Sequence, residues 1–145
     1  MWKNNQERYG NVSKILHWII GLSIIGMLAV GIYMEGLEAS DTKWWLYGLH
    51  KSLGITLLIA VMARIFWKLI NISPALPADT PKWQRISSQV THLSLYLLML
   101  FMPLIGWVMS SAGGHKVSLW GLELPALVQK NKELGGWANE LHEIG

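Results

Sequence analysis

The residues able to do chemistry in this chain are few. Five histidines, His17, His50, His92, His115 and His142, occur with no cysteine anywhere. That removes disulfides, zinc fingers, iron–sulfur clusters and covalently attached c-type haem together. Two of the histidines are followed four positions later by glycine, His17 by Gly21 and His50 by Gly54. Residues four apart share a helix face, so each glycine would clear room beside an imidazole, as a flat macrocycle requires. Plain helix–helix packing also uses glycine in this way, and Gly26 and Gly31, whose spacing drifts around the helix, read as packing sites.

Arg64 adds a third element. It follows His50 by 14 residues, which at 100° per residue returns it to within about 40° of the same helix face, about 21 Å along the axis. That is the depth of His17. Its guanidinium either reaches the nearest headgroups or turns inward to pair with an anionic or polarised oxygen, such as a haem propionate or a quinone carbonyl.

These residues have to be positioned by membrane helices. The 145 residues are 52% apolar and only 14% charged, against about 25% charged in an average soluble domain, and the mean hydropathy is +0.31. The net charge of +3 comes from scattered basic residues and forms no nucleic-acid-binding patch. Three stretches, about 15–33, 49–70 and 90–109, are long and apolar enough to span a bilayer. None alternates as barrel strands do, so helices are the expected form. The first run is too long for a signal-peptide core, and two more follow it.

No Asp or Glu lies within the three spans. Zinc would want three or four converging ligands. Histidine pairs suit a non-covalent haem instead.

The Lys/Arg bias orients the chain. Lys3, Arg8 and Lys14 precede span 1, and Arg64, Lys68, Lys82 and Arg85 surround the second connection, whereas the first connection holds only Lys43 against Glu35, Glu38 and Asp41. The N-terminus and an irregular 71–89 loop are therefore expected in the cytoplasm. His17 and His92 then lie at inner helix ends and His50 and His142 at outer ones, with His115 in the outer loop. The residues after Trp137 read as the approach to a fourth helix that the chain barely enters.

In this order the motifs resemble the prokaryotic cytochrome b561 family. They are Ser13-Lys-Ile-Leu-His17-Trp18, Leu49-His50-Lys-Ser-Leu-Gly54, Arg64-Ile-Phe-Trp-Lys68, His92-Leu-Ser-Leu-Tyr96, Met102-Pro103-Leu-Ile-Gly106-Trp107, Ser118-Leu-Trp-Gly121, Leu124-Pro125 and Leu141-His142-Glu143. The resemblance covers essentially the whole chain, residues 1–145, as one membrane domain cut short at its fourth helix. It implies an all-α membrane protein, a four-helix bundle in the bacterial inner membrane holding haem b. His50 and His142 would ligate an outer haem, and His17 an inner one whose second ligand has no counterpart here. His92 is not a ligand in the family, and would be the substitute if His17 has one.

The implied function is electron transfer between a periplasmic one-electron partner, superoxide among them, and the ubiquinone pool, as in a superoxide:ubiquinone oxidoreductase. Lys51, His115 and Lys116 are the candidates to steer an anion outside, while His17, Arg64 and His92 mark an inner quinone site. Two other readings stand beside it: a cytochrome b anchor subunit of a periplasmic dehydrogenase or hydrogenase, and a haem-free remnant. The surplus glycines on a lipid-facing surface would also accommodate a homodimer.

Overall fold

A computed structural model describes residues 1–144. Its elements in chain order are α1 (Asn11–Glu35), α2 (Asp41–Ile70), α3 (Lys82–Ala112), β1 (Val117–Leu119), β2 (Leu122–Leu124) and α4 (Lys132–Ile144). The first three helices are long and apolar enough to cross a membrane. Each extends past the apolar run that announces it, because polar residues continue a helix once it leaves the hydrocarbon.

This corrects the expected 71–89 loop. The irregular segment stops at Pro81, and Lys82 to Gln89 already belong to α3. Proline fits just ahead of a helix, where the missing N–H is not needed. The segment between α3 and α4 is ordered too, since β1 and β2 pair antiparallel with Leu119 opposite Leu122. Trp120 and Gly121 between them both have positive φ, 51° and 97°, the type I′ turn that matches the twist of a two-residue hairpin.

The helix ends are built from local chemistry. Ser40 caps α2 by accepting from the Lys43 backbone N–H at 3.3 Å, and Asp41 adds a negative charge at the positive end of the helix dipole. Lys43 turns its ammonium onto the Leu37 carbonyl at 2.6 Å, just beyond α1. α3 ends in a Schellman motif: the His115 N–H donates to the Ser110 carbonyl at 2.8 Å and the Gly114 N–H to Ser111 at 3.0 Å. Gly114 supplies the φ of +76° this requires. Asn131 then starts α4, its side chain accepting from Leu134 N–H at 3.0 Å.

α1 and α2 run antiparallel in a register that faces Gly31 with His50, Met27 with Gly54, and His17 with Arg64. α4 runs antiparallel to α3, with Gly135 close against Ala112 at one end and His142 against Gly106 further in. α2 is the central element, packing on α1, α3 and β1, and its Ile55, Leu58 and Val61 are buried. The outward surface is apolar, with Ile32 74% exposed and Leu69 78% exposed. Such side chains are stable facing lipid tails and would not be in water.

Candidate haem and quinone sites

The histidines separate into a pair at the α4 end of the bundle, called outer after the side expected from the Lys/Arg bias, and a cluster at the opposite end, called inner. On the outer side, α2 and α4 bring the His50 and His142 rings to 6.2 Å between centroids, with planes crossing at 88°. Two imidazoles on opposite sides of one metal, with metal–nitrogen bonds of about 2.0 Å, would have centroids about 6 Å apart. The separation therefore fits a shared ion. Nδ1 of each ring is buried without a hydrogen-bond partner. Leaving such a group unsatisfied costs about 1–3 kcal/mol, a cost that a metal ion bound at Nδ1 would remove.

Glycines make room for both rings, and they come from neighbouring helices. A Cβ on Gly31 would lie 3.6 Å from His50 Cε1, and one on Gly106 would lie 3.0 Å from His142 Cε1. Gly31, read from sequence as a packing site, thus packs on the imidazole itself. Gly54 instead faces the Met27 methyl at 3.7 Å, and the Cβ position of Gly21 opens on space with nothing within 4 Å. Among the described residues there is no cluster of three or more His, Cys, Asp or Glu able to hold a metal ion. Two imidazoles are fewer ligands than a zinc site needs and would suit a haem iron.

On the inner side three helices converge. Arg64 on α2 donates Nε–H to the Tyr96 hydroxyl on α3 at 3.3 Å, and its Nη2 lies 3.4 Å from His17 Nδ1 on α1. Guanidinium has no acceptor, so His17 Nδ1 accepts and the ring proton sits on Nε2. In that tautomer His17 ligates iron through Nε2 only if Arg64 first releases Nδ1. Arg64 Nη1 is buried and unpartnered. Lys68 stacks its ammonium over the Tyr96 ring, 4.6 Å from the centroid. In the sequence Tyr96 and Lys68 stand only within motifs and the charge count, because the contacts of Tyr96 with Arg64 and Lys68 form between helices.

His92 is exposed and donates Nδ1–H to its own helix at the Ser88 carbonyl, 2.6 Å away. Among the described residues no aromatic contact joins it to His17, whose ring neighbour is Trp18. Of the proposed steering residues, Lys51 reaches the Lys116 carbonyl at 3.4 Å. Lys116 itself is ion-paired with Glu123 at 2.8 Å. His115 is exposed beside Gly113.

Three helices long and apolar enough to cross a membrane, with an imidazole pair between α2 and α4, are the features of a multi-pass membrane protein with a candidate haem site. The chain belongs to the prokaryotic cytochrome b561 family, whose profile matches residues 8–145. It is 34% identical over 143 residues to cytochrome b561 homolog 2 of Escherichia coli K12, covering 96% of this chain and 75% of that protein. It is 24% identical over 141 residues to cytochrome b561 homolog 1 of the same organism, covering 94% and 78%. A protein of Yersinia pestis named probable superoxide oxidase CybB is 26% identical over 137 residues, with 94% and 77% covered. Family membership brings haem b as cofactor and a bacterial membrane as location.

Proposed function

We propose that the chain carries single electrons between a periplasmic donor and the quinone pool, with its N-terminus in the cytoplasm. The observation that carries this is the His50–His142 pair, two rings 6.2 Å apart at one end of the bundle. Haem b bound there supplies reversible one-electron chemistry. The chain's residues do the rest. His50 and His142 would hold the haem iron between them, leaving no site for oxygen and favouring electron transfer, and Gly31 and Gly106 let the rings sit close to the neighbouring helices.

The inner cluster suits a quinone head group. His17 Nε2–H, the free Arg64 Nη1 and the Tyr96 hydroxyl, which can still donate its own proton, are three donors from three helices. A quinone carbonyl is an acceptor only, so it complements them. Lys68 holds the Tyr96 ring in place from one side.

Superoxide is a candidate donor, an activity carried in the name of the Yersinia pestis relative. Lys51, adjacent to His50, is the residue placed to attract it. Lys116 contributes less, because Glu123 neutralises it.

The test is haem stoichiometry by pyridine haemochrome on the chain purified in mild detergent, together with reduction of the Soret and α bands by superoxide. About one haem b per chain, lost on changing either outer histidine, supports the reading. Haem-free protein overturns it.

A further inference from the structure

The β1–β2 hairpin lies beside the histidine pair and does not stand above it. Ser52 Oγ donates to the Ser118 carbonyl at 2.6 Å, and the indole N–H of Trp120 donates to Thr56 Oγ1 at 3.0 Å. Thr56 is six residues beyond His50 in the apolar span of α2, about 9 Å further into the membrane at 1.5 Å per residue. The tip of the hairpin therefore reaches a depth below His50. Ser52 and Thr56 are turned about 200° and 240° round the helix from His50, so the hairpin covers the side of α2 facing away from the haem ligands.

The chemistry changes along the hairpin as a membrane interface does. Its base carries the exposed Lys116–Glu123 ion pair. Its tip presents Trp120 and Leu122, 60% and 65% exposed. Backbone and indole donors at the turn are satisfied within the protein. Gly121 N–H donates to Ser118 Oγ at 3.0 Å, and Thr56 Oγ1 is oriented by donating to the Ser52 carbonyl at 2.8 Å. Irregular backbone survives at membrane depth only when its polar groups find such partners. With its N–H bonded to Thr56, the Trp120 indole turns only its apolar body outward, which suits the boundary between headgroups and acyl chains.

We propose that the Val117–Leu124 hairpin is an anchor in the bilayer interface, its Trp120–Leu122 tip among the first acyl carbons and its Lys116–Glu123 base among the phospholipid headgroups. Ser52 and Thr56 are the docking hydroxyls that hold it against α2. The proposal holds for either leaflet and does not depend on the electron-transfer reading.

The chain has no cysteine, so single nitroxide labels need no background removal. Labels at Leu122→Cys, Ile59→Cys within α2 and Gln129→Cys in the loop would be compared in proteoliposomes of phosphatidylethanolamine and phosphatidylglycerol. Collision with dissolved oxygen and with a water-soluble nickel chelate reports depth. The label at position 122 is expected to favour oxygen, as at 59, with 129 favouring nickel. Nickel preference at 122 equal to that at 129 overturns the proposal. Should the cysteine variant fail to insert, Trp120→Phe in lipid with brominated acyl chains gives the same answer. The variant is expected to lose part of the bromine-quenchable emission, and unchanged quenching overturns the proposal.

Discussion

Gly106 and His142 form the tightest contact in the outer site: a single methyl on the glycine would sit 3.0 Å from the imidazole Cε1. In an ordinary helix, glycine to alanine gains about 0.5–1 kcal/mol. Here the added carbon must push the ring of a haem ligand. Gly106→Val is therefore expected to reduce haem content at least about 10-fold relative to wild type, the scale at which disturbing groups that orient a ligand weakens a metal site. Gly48→Ala, where the Cβ position has nothing within 4 Å, should keep it. Full haem retention by Gly106→Val, read from the Soret band per protein, would contradict the packing role.

The outer rings should behave as a unit. His50→Ala and His142→Ala each leave one imidazole facing a gap, and each is expected to remove the outer haem. The double variant should be no worse than either single one, since ligands that act together are not additive. A single variant that keeps a six-coordinate low-spin spectrum would show that another residue supplies the ligand.

The inner histidines should differ from the outer pair. His92 is bonded to its own helix at Ser88, and His17 is engaged by Arg64. The haem stoichiometry of the chain is therefore expected to be near one, and His92→Ala should leave the absorbance spectrum unchanged. Two haems per chain, falling to one in His92→Ala, would show that His92 pairs with His17 once Arg64 releases it.

Much of the bundle is readable from hydropathy, because the three apolar runs are each long enough to span and carry no acidic residue. The boundaries are less legible. α3 begins at Lys82 because a polar helical turn outside the hydrocarbon carries no apolar signal. β1 and β2 are three residues each, too short for alternation to register. Within the site, the spacing rule that links His17 to Gly21 and His50 to Gly54 considers one helix at a time. The glycines that meet the outer rings, Gly31 and Gly106, come from α1 and α3. Likewise Tyr96 reaches Arg64 across a helix interface, which no periodicity in a single segment reveals.

Charge steering separates Lys51 from Lys116. The Lys116 ammonium is held by Glu123 at 2.8 Å in an exposed pair, so its field is largely cancelled at a distance. Lys51 donates only to a backbone carbonyl at 3.4 Å and keeps its net charge next to His50. Lys51→Gln is expected to slow outer-site reduction by superoxide about 2- to 10-fold at low ionic strength, and Lys116→Gln to change it less. At about 1 M salt the Debye length falls to about 3 Å and the two variants should match wild type. Stopped-flow reduction of the haem bands across a salt series measures this directly. A Lys51→Gln deficit that persists at high salt would assign the lysine a structural role beside His50 in place of an electrostatic one.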